Sequence, residues 1–65
     1  MNNITRMELA IKFKRARILK GLSQAELARL ANVSPTTIRT IEKNRSKRPR
    51  DYVLSRIAVI LGINY

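Results

Sequence analysis

The 65-residue chain has no cysteine, no histidine and no tryptophan, and only four acidic residues. Without Cys or His there is neither a disulfide framework nor a thiolate or imidazole metal site, so no metal or other cofactor is expected. The same absences remove the commonest general base and the thiol nucleophile. Glu8, Glu26, Glu42 and Asp51 are each accounted for below by helix starts or ion pairing, and nothing in the basic surroundings of Ser46 and Lys47 organises them for catalysis. An enzyme is therefore not expected. Apolar runs are short, as at Leu30-Ala31 and Ile60-Leu61, far below the roughly 18 residues that span a bilayer. Neither a membrane segment nor a secretory signal is expected, and the location expected is cytoplasmic.

Fourteen Lys and Arg stand against the four acids, a formal net charge of +10. That exceeds the magnitude of about 2 to 8 typical of a small soluble domain. An anionic partner is the simplest reason to tolerate the self-repulsion, with nucleic acid ahead of a membrane or an acidic protein surface. Six of the cations, Arg39, Lys43, Arg45, Lys47, Arg48 and Arg50, cluster in one segment. A chain this short buries only about 60% of its extended surface. Residues 1–65 therefore read as a single domain stabilised by close helical packing.

Thr5 and Glu8 have the spacing of a capping box, and Leu9, Phe13, Ala16 and Arg17 recur at helical spacing through residues 6–20. Gly21 stops that helix. Ser23 and Glu26 form a second capping box, ahead of Leu27, Ala28 and Ala31 on one side of a two-turn helix. Asn32-Val33-Ser34 makes a turn, and Ser34 caps a third helix with Pro35 at its first position. Ile38 and Ile41 point inward, while Thr36 and Thr40 share another face that packing does not need. Lys43-Asn44 ends this helix. A basic linker over residues 45–50, held by Pro49, leads to a fourth helix from Asp51 with Leu54, Ile57, Ala58 and Leu61 inward and Gly62 as its stop. Ile63 is expected to fold back over the core. Tyr65 is read as frayed, as an interface residue, or as the start of a further segment.

The set Arg17, Gly21-Leu22-Ser23-Gln24-Ala25-Glu26-Leu27-Ala28, Val33-Ser34, Ile38, Ile41-Glu42, Pro49, Ile57-Ala58 and Leu61-Gly62 resembles, in order and spacing, the lambda Cro and phage-repressor helix-turn-helix family, also called the xenobiotic-response-element family. The fold implied is all-α, a compact bundle of four or five short helices containing a helix-turn-helix. The resemblance implies a largely buried Arg17–Glu42 ion pair between the first and third helices. It puts Gln24 against a DNA phosphate at the second helix start, where free amides point outward. Thr36 and Thr40 take the main base-facing positions, with Thr37 and Arg39 beside them. Ser34, Lys43, Arg45, Lys47 and Arg48 face phosphates. The stretch Lys47-Arg48-Pro49-Arg50 is similar to the basic loop of the 434 phage repressor and Cro pair, which places Arg50 at a narrow minor groove. The spacing from Pro49 to Ile57-Ala58 is longer here, in agreement with the broader family.

The function implied is sequence-specific binding of double-stranded DNA by a transcriptional regulator, a repressor in the first reading, acting on a palindromic operator as a homodimer at least on DNA. A fifth helix commonly supports dimerisation in the family, and residues through Tyr65 do not show one. The alternative is an antitoxin that autoregulates its operon through the same helix and holds a toxin on another face, for which Tyr52, Val59, Ile60 and Tyr65 are the first residues to inspect. A membrane or RNA binder would explain the charge but not the two capped helices, and RNA would call for stacking aromatics that are scarce here.

Overall fold

The computed structural model describes residues 6–43 and 50–64. It shows four helices, α1 (Arg6–Leu19), α2 (Gln24–Ala31), α3 (Pro35–Glu42) and α4 (Asp51–Leu61), and no strand among the described residues. The architecture is an all-α bundle. Thr5, the linker over residues 44–49 and Tyr65 lie outside the described residues, and with them the first capping box and the Asn44 stop.

Local chemistry sets both ends of the middle helices. At α2 the Ser23 hydroxyl accepts from the Glu26 amide at 3.0 Å, and the Glu26 carboxylate accepts from the Ser23 amide at 2.7 Å, a complete capping box. At α3 the Ser34 hydroxyl accepts from the Thr37 amide at 3.3 Å, and Pro35 occupies the first turn, where its missing N–H has no carbonyl to reach.

Helices α1, α2 and α4 all end in the same motif. Gly21, Asn32 and Gly62 adopt positive φ of 70°, 56° and 69°. The next residue in each case, Leu22, Val33 or Ile63, donates its amide back to the carbonyl of Arg17, Ala28 or Ala58 at 3.2, 2.9 and 3.1 Å. This is the Schellman arrangement, and each of the three apolar residues folds onto the core, Ile63 included. Each of these three helix ends thus has two of its orphan carbonyls satisfied and adds an apolar side chain to the interior.

The core draws on every helix: Leu9 and Phe13 from α1, Leu27, Ala28 and Ala31 from α2, Ile38 and Ile41 from α3, and Leu54, Ile57, Ala58 and Leu61 from α4. Ala10 is also buried, a position the helical spacing does not single out. Each buried Phe, Leu or Ile contributes about 1.5–3 kcal/mol through removal from water. With eight residues each, α2 and α3 are too short to persist alone, so their geometry depends on this shared interior. The α3 helix packs on α1 and α2, while α4 packs on α2 and α1.

Candidate nucleic-acid interface

The orientation of α3 is fixed from beneath by one polar cluster. Glu42 accepts from Arg17 Nε at 2.7 Å and Arg17 Nη2 at 3.1 Å, a two-pronged pair that joins the end of α3 to α1. Their side chains are 12% and 3% exposed, so the charges are largely out of water. Arg17 Nη1 also donates to the Leu22 carbonyl at 2.7 Å, and Gln24 Nε2 donates to Glu42 Oε1 at 3.1 Å. Arg17 and Glu42 together therefore gather α1, the turn before α2, the first residue of α2 and the last residue of α3. No buried side-chain nitrogen or oxygen among the described residues lacks a partner.

With Ile38 and Ile41 inward, about 100° of rotation per residue carries Thr36, Thr40 and Lys43 to within about 60° of one another on the opposite side of α3, with Arg39 beside them. Thr36, Arg39 and Lys43 are exposed and Thr40 is half-buried. Thr37 stands apart: its side-chain oxygen lies 3.1 Å from that of Ser34, so both hydroxyls serve the cap of α3. The outward face of α3 thus carries two threonines whose hydroxyl and methyl groups suit base edges, with two cations suited to phosphate along one side of them.

Gln24 is turned partly inward, its side-chain amide engaged by Glu42, a link the sequence reading does not foresee. The capping box engages the amides of Ser23 and Glu26, and those of Gln24 and Ala25 at the helix start have no carbonyl of their own helix to reach. The capping hydrogen bonds from Ser23 hold the Glu26 carboxyl below its ordinary range, with Arg29 a smaller influence in the same direction.

Beyond α3 the described residues resume at Arg50, which is exposed, has extended backbone and precedes α4 without a side-chain cap. Arg45, Lys47 and Arg48 lie outside the described residues. Arg56 of α4 was missed by pattern reading. Its Nη1 donates to the Ala31 carbonyl at 3.1 Å and its guanidinium lies 5.8 Å from the Tyr52 ring centre, so α4 braces the last turn of α2 immediately before α3 begins. A cation at a helix C-terminus is favourably placed against the carbonyl dipoles. No signal local in sequence could have revealed a contact across 25 residues.

Among the described residues there is no cluster of three or more His, Cys, Asp or Glu able to hold a metal, and no helix is long and apolar enough to cross a membrane.

A helix-turn-helix family model matches residues 13–65, most of the chain. The chain belongs to the helix-turn-helix family of the Cro and phage-repressor type, a family of non-catalytic domains that bind DNA and regulate transcription.

Proposed function

We propose that this helix-turn-helix domain is a sequence-specific repressor that lays α3 in the DNA major groove, with Thr36 and Thr40 reading base edges. The observation that carries the reading is the outward face of α3, where Thr36 and Thr40 lie beside Lys43 and Arg39 on a helix held by the Arg17–Glu42 cluster. The free amides of Gln24 and Ala25, and the second hydrogen of the Gln24 side-chain amide, meet a phosphate at the α2 start. Ser34 and Thr37 line the α3 start, Lys43, Arg45, Lys47 and Arg48 grip the backbone beyond it, and Arg50 enters the adjoining minor groove. A threonine lacks the bidentate pairing of Arg with guanine, so discrimination per contact is modest and a homodimer on a palindromic operator supplies the rest.

One observation favours an antitoxin as the second reading. Tyr52 and Val59 of α4 are 58% and 79% exposed, and Ile60 is half-buried, an apolar surface beyond the needs of the core. Tyr65 lies outside the described residues.

The test is selection of bound duplexes from a random pool, followed by titration of the winner and of a scrambled duplex at two salt concentrations. A palindromic winner bound about 100-fold or more tightly, with half-sites about one helical turn apart, supports the proposal. Equal, salt-sensitive binding to both duplexes would reduce the domain to a nonspecific cation.

A further inference from the structure

The outward side of α1 is an apolar face in a cationic setting. Met7, Ile11, Ile18 and Leu19 are 51–80% exposed, although Leu9 and Phe13 of the same helix are buried. Met7, Ile11 and Ile18 lie within about 40° of one another around the helix, on the side opposite Phe13. Two adjoining depressions, of about 360 and 290 Å³, share Ile11, Arg15 and Leu19. The larger is closed on one side by Ile63 from the chain's last reversal, and Ile18 lines the smaller. Lys12, Lys14 and Arg15 border them, against the single acid Glu8.

We propose that this face is a docking site for an acidic amphipathic helix of a partner protein. Its apolar anchors seat on Ile11, Ile18 and Leu19, and its carboxylates pair with Lys12, Lys14 and Arg15. The charges select this occupant. Pairing this face with its own copy would set Lys12, Lys14 and Arg15 against the same three cations, whereas an acidic helix meets them with opposite charge. The lining carries no aromatic side chain to settle at a lipid interface, which argues against a bilayer. A helix offering anchors at i, i+3 or i+4, and i+7 can meet Ile11 and, about two turns further along α1, Ile18 and Leu19. None of these residues belongs to the proposed DNA face, so the inference stands apart from the DNA reading.

The test is a two-dimensional NMR titration of the full chain with a blocked amphipathic peptide of leucine and glutamate, about 16 residues long. A scrambled peptide of the same composition and phosphatidylglycerol vesicles are titrated in parallel. Saturable binding of the patterned peptide, with amide shifts over residues 7–20 and at Ile63, is the expected result. The double variant Ile11→Gln/Ile18→Gln should weaken it about tenfold or more while changing affinity for duplex DNA by less than about twofold. Lys14→Glu/Arg15→Glu should also weaken the peptide by about tenfold, since it reverses the charge beside Ile11 and Ile18 while leaving both isoleucines in place. Equal binding of the scrambled peptide would overturn the proposal, as would shifts centred on α3. Vesicle binding without peptide binding would assign the face to a membrane, and self-association mapped to residues 7–20 would assign it to a second copy. Either result would also overturn it.

Discussion

Arg17 of α1 and Glu42 at the end of α3 meet through two nitrogen–oxygen contacts of 2.7 and 3.1 Å in a nearly dry setting. Removing one partner strands the other charge, a loss of roughly 3 to 5 kcal/mol for a buried pair. A domain this small has little more stability than that. Arg17→Met is therefore expected to be largely unfolded in a urea titration at 25 °C. Arg17→Met/Glu42→Met should be more stable than either single variant, because no uncompensated charge remains.

The left-handed residues after the helices offer a second test. A Cβ built at Gly62 meets nothing within 4 Å, so Gly62→Ala should lose only the backbone preference, about 1–2 kcal/mol. The expected fall in Tm is roughly 4–8 °C per kcal/mol for a domain of this length. At Asn32, which already bears a side chain at φ 56°, glycine should be at least as stable as the native residue and alanine less stable. Thermal unfolding by circular dichroism measures all three variants.

These caps were readable in the sequence because their causes are local: Ser23 with Glu26, Ser34 with Pro35, and Gly62 followed by Ile63 each declare a helix end within four residues. The inward stripes of Leu27, Ala28 and Ala31, and of Leu54, Ile57, Ala58 and Leu61, follow from helical period alone. Contacts distant in sequence were not readable from period. The Arg17–Glu42 pairing was implied only by family resemblance, and neither the turn of Gln24 toward Glu42 nor the reach of Arg56 to Ala31 left any trace in spacing. The exposed side of α1 was invisible for a related reason. An isoleucine at position 11 or 18 looks like core until it is known that none of the described helices packs there.

Acid sensitivity should show at the α2 cap. Hydrogen bonds from Ser23 favour the charged form of Glu26, so its folded pKa lies below the ordinary glutamate range. This contribution to stability is present above the unfolded pKa and is lost as pH falls through the folded value. An NMR titration of the Glu26 carboxyl should find a midpoint below that of an unperturbed glutamate, moved upward by Ser23→Ala. The same substitution should cost about 1 kcal/mol through loss of the N-cap.

Lys43 caps the end of α3, where the proposed docking sets it against phosphate and away from base edges. Lys43→Gln should weaken selected and scrambled duplexes by the same factor and make the log-log salt slope shallower by about 1. Fluorescence anisotropy over a series of salt concentrations checks both.

The central claim, that Thr36 and Thr40 read bases from α3, is tested most directly by titrating Thr36→Ala/Thr40→Ala against the selected and the scrambled duplex. The account predicts that affinity for the selected duplex falls by about tenfold or more while the scrambled duplex is bound as before, since the phosphate contacts are untouched. An unchanged ratio between the two duplexes, in a variant with the native circular dichroism spectrum, would contradict it.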